Sequence, residues 1–181
     1  MEKIVSLDKL IETFSLEPLN AKDGIMREIV LAEVHRPGTE LTGYIVEDAA
    51  QIENAIHVMG KEEISYISSL PKYVMEDNLT HYMNYDFPCI ILTDNRDNIP
   101  PEFFTTASIA QKLILYTDMG TDKFIKKLRI YLQKELAPEI VLNKFTLLEV
   151  FGIGIMITGY ESARIGATLE ILEKHHRFVT D

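Results

Sequence analysis

The stretch Ile155-Met156-Ile157-Thr158-Gly159, a polar turn, and then Ala167-Thr168-Leu169-Glu170-Ile171-Leu172 reads as strand, loop and helix. That is the setting in which backbone N–H groups at a helix N-terminus attract a phosphate. Gly159, Ser162 and Arg164 are the candidate phosphate-binding residues of the turn. The competing reading is a plain strand-to-helix connection in which Ser162 is the N-cap and Arg164 a solvated side chain. Earlier, His35-Arg36-Pro37-Gly38 is either a turn leaving a strand or a small-anion or partner contact through Arg36. His175 and His176 are adjacent, so on a helix they point apart and form no metal pair, and His57 and His81 have no ligand-spaced neighbours. No metal site is expected. Cys89 lies inside an apolar run and is expected to pack in the core rather than act as a nucleophile.

The chain that must position these groups has 181 residues, enough for one domain or one domain plus a fragment. With 46% hydrophobic and 25% charged residues it has the composition of a soluble globule. A net charge of -10 argues against a surface built to neutralise nucleic-acid phosphates. The single cysteine can form neither an internal disulfide nor a CxxC pair. Acidic residues interrupt the N-terminus before any signal-length apolar run, and no segment approaches the ~20 apolar residues of a membrane span. A cytoplasmic location is the expectation.

Ser6 before Leu7, Leu10, Ile11 and Phe14 predicts a capped first helix ending near Pro18. Arg27–Val34 reads as a strand and Ile56–Met59 as the next; helices over Glu62–Leu70 and Lys72–Met83 are split at Pro71. Pro88–Thr93 reads as a buried strand, Pro101–Gln111 as a helix, and Lys112–Thr117 as a strand. The strongest helical pattern is Thr121–Leu136. Phe124, Ile125, Leu128, Tyr131 and Leu132 form its apolar stripe, with Lys123, Lys126, Lys127 and Arg129 on a solvated face. Strands alternating with such helices predict an α/β domain, a parallel or mixed sheet covered by helices, ending near Pro138. Beyond it, Ile140–Leu142, Phe145–Phe151 and Ile153–Thr158 are β-rich; a helix from about Ala163 to Lys174 and a last strand, Arg177–Thr180, follow. The stretch after Pro138 is near the lower limit for independent folding. It is expected to pack on the first domain or on a second chain, or else to be mobile.

Several segments carry a family resemblance. They are Leu10-Ile11-Glu12, His35-Arg36-Pro37-Gly38 with Glu40-Leu41-Thr42-Gly43-Tyr44, Met59-Gly60-Lys61-Glu62-Glu63, Pro88–Thr93, and Phe124-Ile125 with Leu128, Tyr131-Leu132 and Leu136-Ala137-Pro138. Glu149–Gly159 and His176-Arg177-Phe178-Val179-Thr180-Asp181 continue the series. In their order and spacing the chain resembles HPr kinase/phosphorylase: residues 1–138 its N-terminal domain, residues 139–181 the start of its P-loop kinase domain. The resemblance implies a bacterial homo-oligomer that phosphorylates a serine of the phosphocarrier HPr in the sugar phosphotransferase system, with ATP or pyrophosphate and Mg²⁺. It also implies removal of that phosphate by phosphorolysis.

The departures fall on the loop. A P-loop needs Gly-x-x-x-x-Gly-Lys-Ser/Thr, because small residues let the backbone approach, the lysine neutralises charge and the hydroxyl holds the metal. Counted from Gly159, the chain places Arg164, Ile165 and Gly166 there. With one residue deleted and the register set from the helix, Arg164 takes the lysine position and Ile165 that of the hydroxyl, while Glu161 brings a negative charge. Losing two charge-assisted bonds, each worth roughly 1.5–3 kcal/mol, would weaken phosphate binding by on the order of 10²–10⁴-fold. The family's His-Gly pair before the loop is matched by Asn143-Lys144-Phe145, and Asp181 falls at the first of two adjacent aspartates, one expected to be the general base. The resulting expectation is a truncated, degenerate kinase start and a non-catalytic binding, assembly or regulatory module, with no cofactor for this chain. HPr and a second copy would be partners; nucleic acid and membrane would not. The alternative is an active kinase/phosphorylase with an atypical loop or a site completed by another subunit.

Overall fold

The computed structural model describes residues 3–20, 27–46, 49–94, 96, 98–138, 144–150, 153–173 and 177–180. The chain divides into two compact units, Met1–Pro138 and Glu139–Asp181. The architecture is mixed α/β, with six α-helices among the described residues.

In the first unit β1 (Val5–Ser6) leads into α1 (Leu7–Phe14), where the Ser6 hydroxyl accepts from the Lys9 amide at 3.2 Å. The helix stops earlier than its apolar spacing suggests. Ser15 turns left-handed at φ 51°, and Leu16 folds back so that its N–H meets the Ile11 carbonyl. Glu17 and Pro18 are then a short strand, β2 (Glu17–Pro18), on the sheet edge, where a residue without an N–H is tolerated. The expected strand over Arg27–Val34 is also corrected: it is two strands. β3 (Glu28–Ile29) pairs antiparallel with β1, whereas β4 (Val34–His35) runs parallel to β5 (Ile56–Met59) in the main sheet. One chain segment serves two sheets, so the run breaks at Val30 and Leu31, which are exposed.

After β5 come α2 (Lys61–Ser69), α3 (Lys72–Met83), β6 (Cys89–Thr93), α4 (Pro101–Ile109), β7 (Leu113–Thr117) and α5 (Thr121–Leu136). The sheet order is β2-β7-β6-β5-β4, all neighbours parallel except the β2 edge. Both faces are covered, which is why β5, β6 and β7 read as unbroken apolar runs. Side-chain alternation sends Ile56, Val58, Cys89, Ile91, Leu113 and Leu115 against α1 and the Phe124-Leu128-Leu132 stripe of α5. Met59, Ile90, Leu92, Ile114 and Tyr116 face α2, α3 and α4. On α5 the lysines lie outside, but Arg129 also donates to the Val34 carbonyl at 3.3 Å, tying the helix to β4.

The second unit is an antiparallel sheet of order β10-β8-β9 with one helix: β8 (Phe145–Val150), β9 (Ile153–Thr158), α6 (Glu161–Glu173) and β10 (Arg177–Thr180). β8 and β9 form a hairpin pairing Phe145 with Thr158 through Val150 with Ile153. The expected strand Ile140–Leu142, and Asn143, His175, His176 and Asp181, lie outside the described residues. No helix among the described residues is long and apolar enough to cross a membrane.

Candidate functional site

The turn between β9 and α6 was the first candidate. Gly159 has φ +132°, a conformation open to glycine, and nothing lies within 4 Å of where a Cβ would stand. α6 begins at Glu161, so Ser162 sits within the first turn and is not the N-cap. Arg164 corrects the expectation of a solvated side chain. It is only 8% exposed, and its Nη1 donates to the Thr146 hydroxyl on β8 at 2.8 Å. A residue in the first turn of a helix leans back toward that helix's N-terminus and onto the packed face, and here that face meets the hairpin. Ile165 is half exposed and Glu161 is exposed at the helix start. A magnesium triphosphate needs a cation at the loop tip and a hydroxyl for the metal; the turn offers a carboxylate, an arginine committed to β8 and an isoleucine. These residues do not fit that group.

A second candidate lies in the first unit, at the carboxyl ends of the parallel strands. α2 leaves β5 toward one face of the sheet and α5 leaves β7 toward the other, so a crevice opens between their starts. It measures about 390 Å³ and is lined by Arg36, Lys61, Glu62, Asp94, Thr121 and Lys123 among others. Its floor is a hydroxyl network. Thr93 Oγ1 lies 3.1 Å from the Met59 carbonyl and 2.7 Å from Thr121 Oγ1, which lies 2.7 Å from Asp94 Oδ2. Each hydroxyl has one proton, so two of these three contacts are hydrogen bonds at any moment. Asp94 holds a left-handed backbone at φ 66°, a conformation aspartate tolerates better than most residues. On the rim Arg36 pairs with Glu62 at 2.8 Å and with Glu63, whose carboxylate also accepts from the Gly60 amide at 2.8 Å. The bond to Glu63 raises the Arg36 guanidinium pKa above its usual value, against a smaller effect of burial. Cations and carboxylates both line the opening, an arrangement that can hold a polar molecule.

Thr93, Asp94 and Thr121 were not singled out from the sequence. Their signal was positional: Thr-Asp closing an apolar strand, and Gly-Thr-Asp opening a helix. Among the residues that were singled out, Arg36 is engaged by two carboxylates, and the turn after it is knitted by Glu40. That buried carboxylate accepts from the Gly38 amide at 2.7 Å and meets His35 Nε2 at 3.1 Å. The fold brings His35 and His57 together with ring centres 4.9 Å apart. His57 is fully buried and stacks on Phe87 at 4.0 Å. Its Nε2 faces the Ile52 carbonyl at 2.9 Å, which fixes the proton there and leaves Nδ1 to accept from Tyr82. Burial drives its pKa down from 6.5 to about 3. Burial likewise pushes the Cys89 thiol up to about 12, so it is inert at neutral pH. Lys112 is buried over the Phe87 ring, donates to the Tyr85 carbonyl at 2.6 Å, and has its pKa lowered to about 8, chiefly by desolvation. Among the described residues no group of three or more His, Cys, Asp or Glu side chains could hold a metal ion.

A family model described as HPr Serine kinase N terminus matches residues 5–132. An HPr kinase/phosphorylase of Clostridium perfringens (strain SM101 / Type A) is 34% identical over 178 residues, covering 98% of this chain and 56% of its own length. One from Alkaliphilus metalliredigens is 31% identical over 180 residues, covering 99% and 57%. A putative HPr kinase/phosphorylase of Fusobacterium nucleatum is 28% identical over the whole chain and 29% of its own length. The chain thus spans little more than half the length of the first two and under a third of the last. Among solved structures, the CBS and DRTGG domains of the regulatory region of a Clostridium perfringens pyrophosphatase, complexed with the activator diadenosine tetraphosphate, match with TM-score 0.43 and 14% identity. That match covers 74% of this chain and 51% of the other.

Proposed function

The chain belongs to the HPr serine kinase N-terminal family, and from that membership we propose an HPr kinase/phosphorylase-like protein that does not itself transfer phosphate but serves as a binding, assembly or regulatory module. In this reading residues 139–181 are a P-loop kinase start whose loop has lost its chemistry, HPr is the partner the relatives' name points to, and the setting is the bacterial cytoplasm. One observation carries it. At the position where an ammonium should crown the loop, Arg164 is folded onto Thr146 of β8 and Ile165 stands in for the metal-binding hydroxyl. An arginine's planar fork held in a hairpin cannot at the same time neutralise a phosphate above the turn.

The test is incubation of the chain with labelled ATP, Mg²⁺ and HPr, beside a calorimetric titration with ATP. No labelled HPr and no ATP binding at millimolar concentration is the expected result. Serine phosphorylation of HPr by this chain alone refutes the proposal. ATP binding abolished by Arg164→Ala favours instead an active site with an atypical loop or one completed by another subunit.

A further inference from the structure

The crevice at the carboxyl ends of β5, β6 and β7 has a lining that narrows what it can take. Apart from Thr121, and from Gly120, which has no side chain, every residue around its volume of about 390 Å³ is charged. Sites for nucleobases and drug-sized molecules are lined mainly by apolar and aromatic side chains, against which a ring or chain can pack. None lines this one, so its occupant is small and polar throughout.

The charges then select its sign. Three cations and three carboxylates line the opening. Arg36 and Glu62 cancel one another at 2.8 Å, with Glu63 behind them. Lys61 and Lys123 remain, and among the described residues neither forms a hydrogen bond or an ion pair. Facing them in charge are Asp122, exposed on α5, and Asp94. The Oδ2 of Asp94 accepts from Thr121 at 2.7 Å, while its Oδ1 takes no donor among the described residues. That oxygen lies beside Gly120, 3.6 Å from where a Cβ would stand, so no side chain of residue 120 walls it off. A polyanion would meet two carboxylates as well as two lysines, on a chain already carrying -10; an amine would meet the two lysines. No three of the carboxylates gather where they could hold a metal ion. A molecule bearing one charge of each sign satisfies both sets.

We propose that this crevice binds a small zwitterion, a free α-amino acid, its carboxylate paired with Lys61 and Lys123 and its ammonium with Asp94 Oδ1. Both are charge-assisted hydrogen bonds, the strong class. The hydroxyls of Thr93 and Thr121, 2.7 Å apart beneath Asp94, hold its carboxylate in place before the ligand arrives, which lowers the cost of ordering it. The place in the fold agrees, because open α/β sheets take their ligands outside the carboxyl ends of the strands. The site lies wholly in the first unit. It therefore goes beyond the non-catalytic reading, which concerns the turn of the second unit, and gives the proposed regulatory module a ligand to respond to.

The experiment is an amide NMR titration of the full chain with each of the common α-amino acids to millimolar concentration, beside acetate, methylamine and inorganic phosphate. Expected is a saturating shift of the amides of residues 60–63, 94 and 120–123 with at least one amino acid, and no saturation with acetate or methylamine. Asp94→Asn keeps an acceptor for Thr121 and suits the left-handed backbone at φ 66°. That variant and Lys123→Gln should each weaken the binding roughly 10–100-fold, the effect of one charge-assisted bond, with each variant's own spectrum reporting its fold. The proposal is overturned if no amino acid saturates, if phosphate alone does, if the shifted amides lie elsewhere, or if neither substitution changes the affinity. Where a variant unfolds, the position of the shifted amides in the parent still decides. ATP binding through Arg164 would refute the non-catalytic reading and leave this site standing; an empty crevice would do the reverse.

Discussion

His57 makes the stability of the first unit depend on acid. Its ring is enclosed by Phe87, Tyr82 and the Ile52 carbonyl, and burial, opposed only in part by the bond to Ile52, holds its pKa near 3 rather than 6.5. Above pH 6.5 the ring is neutral in both folded and unfolded chains, and its contribution is fully present. Below 6.5 the unfolded ring takes up a proton that the folded ring refuses. Each pH unit then favours unfolding by about 1.4 kcal/mol until the folded ring protonates near pH 3. Over that interval the loss is roughly 5 kcal/mol, comparable with the whole stability of a small domain. Replacing the ring in His57→Gln keeps an amide donor for Ile52 but loses Nδ1, the ring atom that accepts from Tyr82, and the stacking on Phe87. The variant should be less stable at pH 7.5 by about 1–3 kcal/mol. Between pH 6.5 and 4, however, it should lose less stability than the parent, the two profiles converging by about 1.4 kcal/mol per unit. Other titrating groups act alike in both proteins, so the difference isolates residue 57. Amide exchange in β5 and β6, followed against pH, reads this unit separately from the second. Parallel profiles, or an NMR titration of His57 with a midpoint near 6.5, would refute the reasoning.

Lys112 predicts a pH slope of the same sign at the alkaline end. Its pKa falls from 10.5 to about 8 on folding, so the unfolded chain binds the extra proton between these values and stability rises with pH. The rise is about 3 kcal/mol at most and should vanish in Lys112→Met, read as the change in urea midpoint from pH 8 to 10; an unchanged slope would remove Lys112 as its source. At the strand-end crevice, a Cβ at Gly60 would collide with Thr121 Oγ1, which Thr93 and Asp94 hold in place. Gly60→Ala should cost about 1–3 kcal/mol, and Thr121→Ala should relieve part of it. Strictly additive effects in the double-mutant cycle would mean that the two residues do not touch.

Wherever one physical signal dominated, the sequence was readable. The 3.6-residue stripe of Thr121–Leu136, with a glycine before it and Ala137-Pro138 after it, gave both helix ends, because no tertiary contact competes with that pattern. Cys89–Thr93 and Ile56–Met59 were legible as buried strands because both faces of the sheet are covered. Arg27–Val34 misled because a run of apolar residues does not say how many sheets it visits; that is decided by partners distant in sequence, Val5 on one side and Ile56 on the other. The strand-end crevice was illegible for the same reason. Thr93, Asp94 and Thr121 are ordinary cap and turn residues until the parallel register of β5, β6 and β7 brings them within hydrogen-bond reach.

Arg164 shows most sharply why a motif position differs from a motif. Read as a string, a cation in the loop-to-helix turn can be assigned to a phosphate or to solvent, and both readings assume that the side chain leaves the body of the unit. Packing offers a third course. The helix must cover Leu148, which is fully buried, and the side chains that lean onto that hairpin face are drawn in with it. An arginine there can reach the Thr146 hydroxyl across the interface, whereas Ile165, one residue on and about 100° around the helix, remains half exposed. On the proposed reading, the phosphate ligand the turn lacks and the peg between α6 and β8 are one residue viewed from two sides. Arg164→Lys alone would loosen the peg without supplying a hydroxyl at Ile165 or removing the carboxylate of Glu161. It should therefore lower the stability of the second unit and leave ATP binding absent.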